Sequence, residues 1–193
     1  MTATASHTEQ LADFRAELRH LDPDIQVDDS RLARALYSSD ASIYRVVPAA
    51  VVHPHGEAQV RALCQAASAV GLPITSRGAG TSCAGNAVGP GVIVDLSGMD
   101  EIADVDVEHK RVRVQPGVVQ EQLQRVLRPF GLRYGPDPST SSRCTIGGMI
   151  GNNACGPRAL AYGRTADTIE SARLVIAGGE VEPLAAAASS DWA

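Results

Sequence analysis

The sequence predicts an α+β fold, in which a small strand–helix–strand unit is followed by a second part built on a mixed or antiparallel sheet. Three observations predict it. Short apolar runs at 49–53 and 73–76 bracket one amphipathic stretch, Glu57 to Val70, long enough for four helical turns. Two further stretches, Ile102 to Val107 and Arg111 to Val114, flank a turn at Glu108–Lys110, as the arms of a hairpin do. Aromatic residues are only 4% against 44% apolar, so the core must be aliphatic, as in packed sheets and helices.

Taken in order, Leu11, Phe14, Leu18 and Leu21 repeat at three- and four-residue intervals, forming one helical stripe that Ser6 can cap and that Asp22-Pro23 ends. A short second helix is expected from Ser30, with Leu32, Ala35 and Leu36 inward, and a loop over Tyr37 to Val47. A strand follows at Ala49–His53, then the helix Glu57 to Val70 with Val60, Leu63, Cys64, Ala67 and Val70 on one side. Gly71 and Pro73 close that helix. Strands are expected at Pro73–Ser76 and Gly91–Leu96, parallel and joined by a crossover. Beyond the hairpin, Gly117 opens a helix carrying Val119, Leu123, Val126, Leu127 and Phe130, which Gly131 ends. A strand at Arg173–Ala177 turns at Gly178-Gly179 into Val181–Leu184.

Composition narrows the function. The 17 Lys and Arg against 22 Asp and Glu leave a net charge of −5, which argues against a nucleic-acid or membrane-surface role because phosphate contacts need clustered cations. No apolar run approaches the roughly 20 residues of a membrane span, and no secretory signal is expected at the N-terminus, so the expected setting is the cytoplasm. Cysteines at 64, 83, 144 and 155 form no Cys-x-x-Cys pair, so the expectation is free thiols and no metal site. His53 and His55 share one strand face, but no third ligand lies near them.

Two runs carry chemistry. The first, Arg77-Gly78-Ala79-Gly80-Thr81-Ser82-Cys83-Ala84-Gly85, follows a strand directly. Its glycines let successive backbone N–H groups form an anion-binding concavity, and Thr81 and Ser82 add hydroxyls. No amphipathic helix follows, which excludes the G-x-G-x-x-G dinucleotide fingerprint, and the Gly-Lys-Ser/Thr ending of a Walker loop is absent. Taken alone, the run is equally an ordinary surface loop. The second run, Ser142 to Gly156, contains Gly147, Gly148 and Gly151, a poor composition for a helix unless a flat ring or a phosphate must lie against the main chain. Thr145 is placed to cap a short helical turn with free N–H groups facing a ligand, and Asn152 and Asn153 offer both donor and acceptor to a heterocycle edge. The competing reading is a tight-packing device.

Together the stretches "PITSRGAGTSCAGNAV" and "GPDPSTSSRCTIGGMIGNNACGPRALAYGRTADTIESARLVIAGGE" resemble the FAD-binding domain of the vanillyl-alcohol oxidase and para-cresol methylhydroxylase type. The branch they resemble most is that of the FAD-linked D-lactate, glycolate and D-2-hydroxyglutarate dehydrogenases, and "YSSDASIYRVVPAAVVHPHGEAQV" fits it too. The resemblance implies that Arg77, Gly78, Ala79, Gly80, Thr81, Ser82, Gly85 and Asn86 surround the FAD pyrophosphate. It further implies that Pro136, Asp137, Ser142, Thr145, Gly147, Gly148, Asn152, Asn153 and Gly156 line the rest of the flavin site. Thr81 stands where several relatives attach flavin through a histidine, so the implied FAD is non-covalent, with Cys83 and Cys155 the remaining candidates for a thioether link. On this reading a side chain at Gly80 would press against the phosphates.

The resemblance implies a division into an N-terminal helical segment, 1–46, and an FAD-binding domain, 47–185, with parts at about 47–100 and 101–185, and a tail, 186–193. The domain is expected to be incomplete at its C-terminus. The implied parent oxidises a small D-2-hydroxy acid to the 2-oxo acid, passes electrons to an acceptor, and in its larger members carries an iron–sulfur part. In such enzymes the cofactor performs the redox chemistry and the protein orients. No residue here matches the family's catalytic groups, and Arg158 and Arg164 read more readily as surface arginines than as substrate contacts. The alternative is a non-catalytic nucleotide-binding or interaction remnant without the substrate domain.

Overall fold

A computed structural model describes residues 7–185. The chain begins with α1 (His7–Leu21), β1 (Val27–Asp28) and α2 (Arg31–Leu36). It continues through β2 (Ala50–Val52), α3 (Glu57–Val70), β3 (Ile74–Arg77) and β4 (Val92–Asp95). The cap expected at Ser6 and the tail 186–193 lie outside the described residues. β2 and β3 both run parallel to β4, which lies between them, and β1 adds antiparallel to β2, giving the order β1-β2-β4-β3.

Val92 and Val94 of β4 and Val52 of β2 face Phe14 and Leu18 of α1 and Leu63, Ala66 and Ala67 of α3, while Ile93 and Val51 face Ala33 of α2. A sheet covered on both faces needs apolar residues at successive positions, which is why β2 and β4 read as unbroken aliphatic runs. α3 ends where Gly71 takes up the left-handed conformation at φ 68°, as its place after Val70 predicts. The parallel unit is therefore as expected. β1 is new: two residues are too few to carry a period-two signal.

α2 corrects the sequence reading. Ser30 caps it, its hydroxyl accepting from Ala33 N at 3.1 Å, but Leu32 and Leu36 are 69% and 64% exposed and Ala35 is also outside. The small Ala33 faces the sheet instead, and Arg34 Nε donates to Pro48 O at 2.8 Å. So short a helix turns little more than one residue inward, and the small Ala33 allows a close approach to Val51 and Ile93.

The second half contains β5 (Ile102–Asp106) and β6 (Arg111–Val114), an antiparallel hairpin, then α4 (Gln120–Leu127), α5 (Ile146–Gly151) and α6 (Ala159–Tyr162). β7 (Ser171–Val175) and β8 (Val181–Ala185) form a second antiparallel hairpin. Val118, Leu123, Leu127, Cys144, Ile146 and Met149 make a second core beneath β5 and β6. α4 starts three residues later than expected because Val119 is extended and bridges Thr145, while Val126 and Phe130 remain exposed. Gly117, expected to open that helix, is instead buried where the halves join: a side chain there would strike the carbonyls of Leu96 and Met99.

The β7–β8 hairpin, grouped by sequence with the second half, also packs on α3 of the first. Arg61 Nε donates to Gly179 O at 3.0 Å, and Arg173 Nη2 meets Glu57 Oε1 at 2.7 Å.

Candidate functional site

The first glycine-rich run leaves the C-terminal end of β3, and the second enters α5 from the other half. The two meet. A Cβ on Gly78 would collide with the Thr145 hydroxyl, and Asn86 Nδ2 donates to Asn152 Oδ1 at 2.6 Å. Beside these contacts opens a cavity of about 380 Å³, walled by Thr81, Ser82, Cys83 and Ala84 on one side and by Pro138, Thr140, Gly148, Met149, Asn152 and Ala154 on the other.

Of the residues singled out in the sequence, Thr81, Ser82, Gly148 and Asn152 form wall, and most of the others shape it. The glycines serve mainly close packing of protein on protein. A Cβ on Gly147 would lie 2.7 Å from Pro116 Cβ, one on Gly156 would strike the Asp137 carbonyl, and one on Gly85 would lie 2.6 Å from the Tyr44 ring. A side chain at Gly80 would lie 2.5 Å from the Arg77 guanidinium, so its first obstacle is that arginine. Asp137 accepts from Arg158 N at 3.3 Å and pairs with its Nε at 3.2 Å, which ties the 135–138 segment to the Gly156–Arg158 corner. Pro136 is buried, its carbonyl accepting from Gln120 Nε2 at 3.0 Å. Asn153, at φ 44°, turns its Oδ1 to Ala166 N at 3.1 Å. Ala79 and Ser142 are exposed and outside the wall.

The expected cap on α5 is present: Thr145 Oγ1 accepts from Gly148 N at 3.2 Å. The free N–H groups expected beside it are not. Ile146 N donates to Val118 O and Gly147 N to Pro116 O, each at 2.8 Å, so the first turn of α5 is anchored to the segment joining the halves. What α5 presents to the cavity is Gly148, Met149 and the Asn152 amide.

The sequence reading named Cys83 only as a candidate for a thioether link and missed Ala84, Pro138, Thr140, Met149 and Ala154 as wall. All lie in or beside the two runs. Their only signal is adjacency, since small and apolar side chains announce packing and chemistry alike. Met149 does both, being part of the second core and of the wall.

Charge near the site is held close to the first run. Asp40 Oδ2 accepts from Ala87 N at 3.3 Å and its Oδ1 from Ser42 N at 2.8 Å. Burial pushes the Asp40 carboxyl up, but the Ser42 and Ala87 hydrogen bonds and the Arg77 charge outweigh it and hold it below the usual carboxylate range. Cys83 and Cys155 are exposed, whereas burial pushes the Cys64 and Cys144 thiols up. Among the described residues no cluster of metal-ligating side chains occurs, and no helix is long and apolar enough to cross a membrane.

The chemistry of the lining suits parts of a flavin nucleotide. Hydroxyls of Thr81, Ser82 and Thr140 suit phosphate and ribityl oxygens, and Pro138, Met149, Ala84 and Ala154 offer apolar surface to a flat ring. Comparison with known proteins agrees. Residues 48–184 match the family model described as FAD binding domain. The D-2-hydroxyglutarate dehydrogenase of Escherichia coli (strain K12) is 41% identical over 152 residues, 77% of this chain and 15% of that enzyme. The glycolate oxidase subunit GlcD of Bacillus subtilis (strain 168) is 35% identical over 172 residues, 88% of this chain and 37% of that one. The chain therefore spans well under half the length of these relatives. An alkyldihydroxyacetonephosphate synthase structure superposes with a TM-score of 0.79 at 22% identity, covering 100% of this chain and 37% of its own, which establishes the α+β fold of the para-cresol methylhydroxylase type. With a matched model over most of its length and a cavity built from both glycine-rich runs, the chain belongs to the FAD binding domain family.

Proposed function

We propose that the chain is the FAD-holding part of an oxidoreductase that converts a small D-2-hydroxy acid of the lactate, glycolate or 2-hydroxyglutarate type to the 2-oxo acid. The observation that carries the reading is the meeting of the two glycine-rich runs at one cavity, with Thr81 to Ala84 facing Gly148, Met149 and Asn152. The names of the relatives support the substrate class.

Thr81 and Ser82 would hold the cofactor through their hydroxyls and Gly148 would let it approach the main chain closely, while Asn86, Asn152 (its Nδ2 donating to Gly148 O at 2.9 Å), Thr145, Asp137 and the packed glycines keep the walls in place. FAD supplies two-electron redox chemistry when bound. The proposed binding is non-covalent because Thr81 stands in place of the attaching histidine; Cys83 is the one wall residue whose side chain could form a thioether link instead. The groups that bind substrate, take its hydroxyl proton and carry electrons to the acceptor, an iron–sulfur part included, belong to the remainder of the longer relatives. A cytoplasmic setting is part of the same proposal.

The test is to purify the chain, titrate it with FAD by flavin fluorescence, and precipitate the complex with acid. Saturable binding with all flavin left in the supernatant supports the reading. Failure to bind overturns it, and flavin that stays with the pellet overturns the non-covalent part. Turnover of D-lactate, glycolate or D-2-hydroxyglutarate with an artificial acceptor, measured on the chain joined to a substrate half from a relative, tests the substrate class.

A further inference from the structure

Arg77 ends β3 and is the first residue of the first glycine-rich run. Its Nη1 donates to Ala87 O at 2.9 Å and its Nη2 to Ser39 O at 3.0 Å. The residue that opens the loop thus binds the carbonyl at the loop's far end, closing it into a ring, and at the same time ties it to the α2–β2 connection. The same connection touches the loop twice more, through Ala41 N to Gly80 O at 3.0 Å and through Asp40 to Ala87 N. Gly80, at φ 65°, lies against the guanidinium.

The guanidinium is itself held. Its carbon lies 5.0 Å from the centroid of the Tyr37 ring, and the Tyr37 hydroxyl donates to Asp95 Oδ2 at 2.5 Å. Asp95 is 6% exposed at the end of β4, in register with Arg77 on β3, and its other oxygen accepts from Ser97 N at 2.8 Å. Arg77, Tyr37 and Asp95 thus join the ends of two parallel strands to the loop. None of the three is part of the cavity wall.

We propose that Arg77 and Tyr37 are positioning residues of the cofactor loop, which set the shape of residues 78–87 before the nucleotide arrives and do not touch its phosphates. The inference rests on the cofactor reading of the cavity and changes the role that sequence resemblance implies for Arg77. The physical ground is that two terminal guanidinium nitrogens already have main-chain partners. A loop of this length bound in advance loses less conformational entropy when a ligand docks. Only a planar fork reaches two carbonyls at once; a lysine ammonium on a flexible stem does not.

The experiment compares wild type, Arg77→Lys, Arg77→Met and Tyr37→Phe in the full 193-residue chain. Two quantities are read: FAD affinity over a range of salt, and backbone hydrogen exchange of the cofactor-free protein. A brace predicts that Arg77→Lys weakens FAD about tenfold although the charge is kept, since preorganisation is lost. It also predicts an unchanged salt dependence and faster exchange over 79–87 and 39–41 without FAD. Tyr37→Phe should move both quantities the same way by less. Wild-type affinity in Arg77→Lys overturns the proposal. So does a loss of affinity in Arg77→Met with weaker salt dependence and unchanged exchange, which makes the arginine a phosphate contact. If Arg77→Met does not fold, Arg77→Lys decides. Exchange is read without cofactor, so a wild type that fails to bind FAD sinks the functional reading while the brace is still judged.

Discussion

The α-carbon of Gly78 lies against the side chain of Thr145, so close that a methyl group on the glycine would occupy the space of the threonine hydroxyl. One residue directly follows β3 and the other caps α5, so their contact brings the two glycine-rich runs together. The same hydroxyl accepts from Gly148 N, so forcing it aside also uncaps the helix that supplies Gly148 and Met149 to the wall.

Gly78→Ala is therefore expected to separate the runs. The loss should be about 1–3 kcal/mol in thermal unfolding, the range for overpacking a close contact, with FAD affinity falling in parallel. Gly151→Ala, where a Cβ meets nothing within 4 Å, serves as the control and should leave both unchanged or raise stability by up to about 0.5–1 kcal/mol. Equal melting temperatures for Gly78→Ala and wild type would refute the account.

Cysteine labelling reports the cavity directly. Cys83 and Cys155 are exposed, but only Cys83 forms wall, and Cys144 is buried with its thiol pushed up by that burial. Maleimide followed by mass spectrometry should modify Cys83 and Cys155 and leave Cys144 untouched. Saturating FAD should slow Cys83 alone. Equal protection of Cys83 and Cys155 would place the nucleotide elsewhere.

Asn86 and Asn152 join the walls through their side chains at 2.6 Å. Both are exposed, so their coupling should be modest, about 0.5–1.5 kcal/mol in a double-mutant cycle of Asn86→Ala and Asn152→Ala read by denaturant unfolding. Strict additivity would mean that the bond holds nothing.

Tyr37 gives a signature in alkali. Burial, and then the hydrogen bond to Asp95, pushes its phenol well above the usual tyrosine range. A raised folded value means that this group's contribution to stability is whole below the unfolded tyrosine pKa, about 10, and is lost as pH rises through the folded one. Wild type should lose stability above about pH 10 more steeply than Tyr37→Phe, measured by urea midpoints across that range. Parallel curves would exclude the coupling.

Much of this molecule is legible in its residues taken alone. The unbroken aliphatic runs of β2 and β4, the long amphipathic α3 with Gly71 after it, and the hairpin of β5 and β6 depend on local preference and period, which a sequence displays. The threonine cap at 145 and the importance of both glycine-rich runs are local in the same sense. Tertiary structure decided the roles within those runs. Whether a glycine is needed for a ligand or for a neighbouring chain segment depends on what lies across from it: Thr145 for Gly78, Pro116 for Gly147, Asp137 for Gly156. Those partners lie tens of residues away or are fixed only when the halves close, so no local pattern encodes them. Tertiary packing likewise turned Leu32 and Leu36 of α2 outward and gave the first N–H groups of α5 to Val118 and Pro116. Short elements have little preference of their own to set against the shape of the surface they meet.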